Sequence, residues 1–315
     1  MHRFLALLCL AAVSCASQPP SPFLGDERFL RFGVDPNQEA NAVIQAQHTR
    51  GYTVSRKIVG QYFSALGFME PNGRSAAVRI VTARGIAVAL DPTPATPLES
   101  ETTFALIAPP LEDTHDPDHD GFDEVFVERR TAAKSCIEVY RIRDVGFVDP
   151  VNLDTHHFGQ DFCPYAVVDL DDDSTVELLA DVPLRGFEPL APRVRVALWP
   201  QDHRFEANGR SEAAKAFMKS ERLDRDQLLT AARKRHDVSE AMRLGIELAA
   251  LVQLWGGRPD QQAAEVDMAV QGLALKPGEA ATSIAARNRI REDWNVPTPT
   301  TSPSGTRAGK EAPRP

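Results

Sequence analysis

Two stretches of this sequence carry oxygen-bearing side chains at a spacing that could hold a cation. The first is Asp116-Pro117-Asp118-His119-Asp120-Gly121-Phe122-Asp123-Glu124, and the second is Asp169-Leu170-Asp171-Asp172-Asp173-Ser174-Thr175-Val176-Glu177. Laid over one another, both have Asp at the first, third and fifth positions and Glu at the ninth, and both lead into an apolar run. Carboxylates at alternate positions of a tight loop can converge on one hard cation, with the main-chain carbonyl at the seventh position as a further donor; calcium is the ion such an oxygen set suits. A single stretch of this kind reads as a solvated acidic turn, because Asp and Gly are common turn residues. Recurrence of the whole spacing, each time ahead of an apolar run, favours the metal.

A different chemistry is available to the neighbouring histidines. Asp113, His115, Asp118 and His119 fall close together, and Asp154, His156 and His157 could approach from another strand. Imidazole with carboxylate suits zinc, manganese or iron, and an open site of that kind would make a metal-dependent hydrolase. The spacing does not reproduce the His-Glu-x-x-His arrangement of helix-borne zinc sites. No Gly-x-Ser-x-Gly turn and no phosphate-cradling glycine loop is present.

The loops are similar to the calcium loops of FG-GAP or VCBS-type repeats, the integrin-like class, in which Asp-x-Asp-x-Asp-Gly-x-x-Asp/Glu precedes a strand. Carried over residue by residue, the resemblance implies as ligands Asp116, Asp118, Asp120, Glu124 and the Phe122 carbonyl. In the second loop it implies Asp169, Asp171, Asp173, Glu177 and the Thr175 carbonyl. Ser174 stands where the pattern has Gly, and the resemblance covers residues 104–180 only. Two copies are too few to close a propeller, which needs at least about four blades. An EF-hand would need its bidentate Glu at the twelfth position, where this chain has Val127 and Ala180.

The N-terminus places these loops outside the cytoplasm. Arg3 precedes an apolar stretch from Phe4 to Val13, which is too short to span a bilayer and reads as an export signal. It closes on Ala12-Val13-Ser14-Cys15, which resembles the lipobox of bacterial lipoproteins. That resemblance implies a lipid on Cys15 as the mature N-terminus. Because Ala16 is not the Asp that retains such proteins in the inner membrane, it also implies an outer-membrane address. Cys9 leaves with the signal and Cys15 carries the lipid, so Cys136 and Cys163 remain. An even remainder in an oxidising compartment predicts one disulfide between them. The net charge of −9 argues against a nucleic-acid partner. Expected contacts are the membrane, through the anchor, and an envelope protein or glycan.

The elements that must position the loops follow from periodicity and punctuation. The predicted fold class is α+β: an antiparallel β-rich centre, an N-terminal helix and a C-terminal helical bundle. The expected organisation is a signal at 1–14, a Pro-rich tether at 15–27, an α+β domain at 28–203, a helical region at 204–294 and a disordered tail at 295–315. Asp35 can cap the first helix, Pro36 fits its first turn, and Gly51 ends it. Asn72-Gly73 signals a hairpin. Strands are expected at 61–69, 76–82, 85–90, 103–108, 124–129, 136–142, 165–168, 176–180 and 193–199. After Asn208 the period becomes helical, with helices near 211–220, 225–236, 238–255, 259–273 and 277–293. Asp224 with Gln227 and Asp237 with Glu240 have capping-box spacing.

Overall fold

A computed structural model describes residues 35–60, 62–96, 100–108, 116, 121–143, 146–155, 158, 162–201, 204–207 and 211–294. The expected signal, the Cys15 site, the tether and the 295–315 tail lie outside the described residues. So do Asp113, His115, Asp118, His119, Asp120, His156 and His157. The fold is α+β with a β-rich centre, as the periodicity predicts. Compact packing divides the chain into two units, one of Met1–Leu153, Cys163–Ala180 and Leu198–Phe205, the other of Asp154–Phe162, Asp181–Ala197 and Glu206–Pro315.

The first unit begins with α1 (Pro36–Thr49), where the Asp35 carboxylate accepts the Asn37 N–H at 2.8 Å and Pro36 occupies the first turn. It continues into a meander of β1 (Thr53–Val59), β2 (Phe63–Met69), β3 (Ser75–Thr82) and β4 (Gly85–Leu90), each antiparallel to the next. Asn72-Gly73 makes the β2–β3 turn, Gly73 taking the left-handed φ of 82° that favours glycine there. β2 is buried along nearly its whole length rather than on alternate residues because both of its faces are covered. On one side Leu66 and Phe68 pack with Ala40 and Val43 of α1. On the other, Phe63 and Ala65 join Phe104, Leu106, Val125, Val127 and Ile142 of a second four-stranded meander. That meander is β5 (Thr102–Ile107), β6 (Asp123–Thr131), β7 (Ser135–Arg143) and β8 (Phe147–Pro150).

β9 (Leu153–Asp154), β10 (Cys163–Val168), β11 (Glu177–Pro183), β12 (Arg193–Gln201) and β13 (Arg204–Glu206) form a sheet ordered β10-β11-β12-β13-β9. The expected disulfide is present: Cys136 of β7 is bonded to Cys163, the first residue of β10, with Cα atoms 4.9 Å apart. β10 ends at Val168, so the second acidic loop hangs from a strand whose other end is covalently tied to β7.

In the second unit the helices are α2 (Glu212–Lys234), α3 (Val238–Leu254), α4 (Pro259–Val270) and α5 (Pro277–Asp293). The two helices expected at 211–220 and 225–236 are one. Capping spacing at Asp224 marks no break, because Glu221 and Arg225, on either side of it, are buried or half-buried and ion-paired along the same helix. Asp237 does cap α3, accepting the Glu240 N–H at 3.0 Å. Buried Glu247 of α3 accepts the Arg193 N–H at 3.0 Å and is flanked by Arg225 and Arg243. Burial nonetheless holds its carboxyl above the usual range. Trp294 sits against the rings of Phe158 and Phe187, with centroids 5.4 and 5.9 Å away. No helix among the described residues is long and apolar enough to cross a membrane.

Candidate metal centre

Three carboxylates of the second loop converge. One oxygen from each of Asp169, Asp171 and Glu177 lies within 4.8 Å of the others. Asp169 directly follows β10 and Glu177 opens β11, so the two strand ends set the outer members of the group, and Asp171 stands exposed between them. The loop closes because Asp172 and Ser174 both take left-handed backbone, with φ of 57° and 72°. Ser174 therefore does what the glycine of the sequence pattern does, at the steric cost a Cβ brings there. Its N–H donates to Asp169 Oδ2 at 3.3 Å, and the Leu170 N–H donates to Glu177 Oε2 at 2.8 Å.

Those two contacts leave one oxygen of each carboxylate with nothing to accept. Asp169 Oδ1 and Glu177 Oε1 are both buried without a hydrogen-bond partner among the described residues, and Glu177 has 0% of its surface exposed. A buried charge without a counter-ion is costly and tends to neutralise by taking a proton. Glu177 shows this. Burial pushes its carboxyl up, the Leu170 N–H pulls it partly back, and Asp171, Asp173 and Asp169 push it further, to about 7. Partial desolvation and the adjoining Asp173 and Asp169 hold Asp171 above the usual carboxylate range as well. Among the described residues the charges that act on Glu177 are the carboxylates of Asp171, Asp173 and Asp169, the electrostatic condition a divalent cation relieves.

At its described residues the first loop shares one contact with the second and differs at the ninth position. Gly121 has φ 90° and donates its N–H to Asp116 Oδ2 at 2.9 Å, matching Ser174 and Asp169. Glu124, like Glu177, is buried. Its Oε1, however, accepts from Arg141 Nε at 2.6 Å, and Arg141 is itself only 5% exposed. The ninth-position ligand expected of this loop is thus engaged by a guanidinium. Phe122, expected to offer its carbonyl, lines a cavity of about 240 Å³ with Arg141, Arg143, Asp149, Pro150 and Val151.

Of the ten expected ligands, the structure brings Asp169, Asp171 and Glu177 together. Asp173 adjoins Asp171 without joining that group, its Oδ1 accepting the Thr175 N–H at 2.7 Å. Asp118 and Asp120 lie outside the described residues, as does every histidine of the alternative nitrogen-based site. Two groups were not singled out from sequence: Arg141, and the Leu170 N–H that orients Glu177. Hairpin counting could have found the first. With the β6–β7 turn at 132–134, Arg130 falls opposite Ser135 and Glu124 opposite Arg141.

No protein-family model, curated protein or solved structure matches the chain.

Proposed function

We propose that this chain is a calcium-stabilised lipoprotein of the bacterial cell envelope, with a structural or binding role and no reaction of its own. The observation that carries the metal is Glu177: buried, grouped with two further carboxylates, and left with an oxygen to which no group among the described residues donates a hydrogen bond. Asp169, Asp171 and Glu177 would hold the ion, which would supply the positive charge their surroundings lack. Oxygen ligands suit calcium, and the millimolar calcium of extracytoplasmic compartments suits a modest site. The envelope address rests on the Ala12–Cys15 pattern, which supports a lipid anchor at Cys15 and contacts with membrane, envelope protein or glycan. Cys15→Ser should release the protein from membranes; unchanged size and partitioning would remove the anchor from this account.

Proton linkage tests the metal. The folded-state pKa of Glu177, about 7, lies above its unfolded value of 4.5. Between those values the folded state holds a proton that the unfolded state has lost, so stability falls as pH rises through the window. A shift of that size corresponds to roughly 3 to 3.5 kcal/mol in full, of which about 2 to 3 kcal/mol falls between pH 5 and pH 8. Denaturation with chelator should therefore show wild type losing about that much more than Glu177→Gln between pH 5 and pH 8. At 1 mM calcium and a dissociation constant on the order of 0.1 mM, the ion should restore about 1.4 kcal/mol at pH 8 and little at pH 5. A pH loss that calcium leaves untouched would make Glu177 a buried acid and nothing more; zinc acting where calcium does not would favour the histidine-based hydrolase.

A further inference from the structure

The second loop is closed on one side and open on the other. Glu177 shuts the inner side with none of its surface exposed, whereas every residue from Leu170 to Ser174 is exposed. Asp169 and Glu177 each have one oxygen held by a loop N–H, from Ser174 at 3.3 Å and from Leu170 at 2.8 Å, which leaves one oxygen apiece for an ion. Asp171 adds at most its two. With the Thr175 carbonyl this comes to about four or five oxygens, against the roughly six to eight that calcium takes. About two positions are left, on the side where Asp171 meets solvent.

Charge decides what can fill them. Asp169, Asp171 and Glu177 bring three negative charges to a doubly charged ion, and Asp173 adjoins Asp171. The loaded loop therefore stays negative, and a phosphate or carboxylate would enter against that charge. A hydroxyl is neutral, and it can give its oxygen to the ion while donating its proton to a neighbouring carboxylate. Leu170, 37% exposed between Asp169 and Asp171, offers apolar surface beside them. We propose that the second loop, once it holds calcium, binds a neutral saccharide through two adjacent hydroxyls, with Leu170 against the carbon face of the sugar. The proposal rests on the calcium reading of this loop, and it narrows the partner from an envelope protein or glycan to an uncharged glycan.

Two measurements on the mature protein test it. Terbium is a luminescent stand-in for calcium, and its lifetimes in light and heavy water count the water molecules on the bound ion; about two are expected. Calcium-loaded protein is then applied to an array of neutral and acidic saccharides. Retention on neutral saccharides, lost in chelator and lost in Glu177→Gln, is the expected result. Titrating a retained saccharide should strip the terbium of its water. A terbium ion that carries no water would show a closed site and overturn the proposal. Retention confined to acidic saccharides, retention that survives chelator or Glu177→Gln, or no retention at all would overturn it too, while leaving a calcium protein. Failure of wild type to bind either ion would remove the calcium reading and the proposal with it.

Discussion

Arg141→Met should destabilise the calcium-free protein by about 3 to 5 kcal/mol, the usual consequence of leaving one partner of a buried ion pair without the other. Arg141 and Glu124 are both buried and meet at 2.6 Å. Their strand neighbours Val125 and Ile142 belong to the core shared with β2 and β3. Methionine keeps much of the arginine stem's volume, so the loss reports the uncompensated carboxylate rather than a cavity. Adding Glu124→Gln should recover most of the stability, because it removes the orphaned charge. Urea denaturation of the two proteins checks this. A single variant within about 1 kcal/mol of wild type would mean that solvent, not Arg141, neutralises Glu124.

Breaking the Cys136–Cys163 bond should cost about 3 to 4 kcal/mol on the chain-entropy account, given a separation of 27 residues. Cys163 opens β10 and Asp169 follows its last residue, so the same bond fixes the strand from which the second loop hangs. The double variant Cys136→Ser, Cys163→Ser should unfold at a clearly lower urea concentration than the oxidised protein. Equal midpoints would mean that packing alone holds β10 in place.

Much of this architecture was legible because its signals are local. Asp35-Pro36 and Gly51 bracket α1, Asn72-Gly73 turns β2 into β3, and Pro277 opens α5 where the expected helix begins. What escaped depended on partners distant in sequence. Asp224 and Gln227 look like a helix start in isolation, yet α2 runs through them, its buried Glu221 and half-buried Arg225 paired one turn apart. The short strands β9 and β13 have too few residues to show a period.

The candidate site divides in the same way. Spacing alone marked Asp169, Asp171 and Glu177, since ligands a few residues apart must share a tight turn. Sequence favoured the first loop, with Gly121 at the sixth position, over the second, with Ser174 there. The difference between them is Arg141, which is 17 residues from Glu124 and becomes its partner only through the β6–β7 register. The substitution of Gly by Ser174 pointed the other way, yet Ser174 adopts the required left-handed backbone.

The most direct test is a calorimetric titration of calcium into chelator-treated protein at pH 8, run in parallel on wild type and on Glu177→Gln. The account predicts saturable binding to wild type and its loss in the variant, because Glu177 supplies the buried ligand on which the site depends. Binding of equal strength in both proteins, or no heat from wild type, would contradict it.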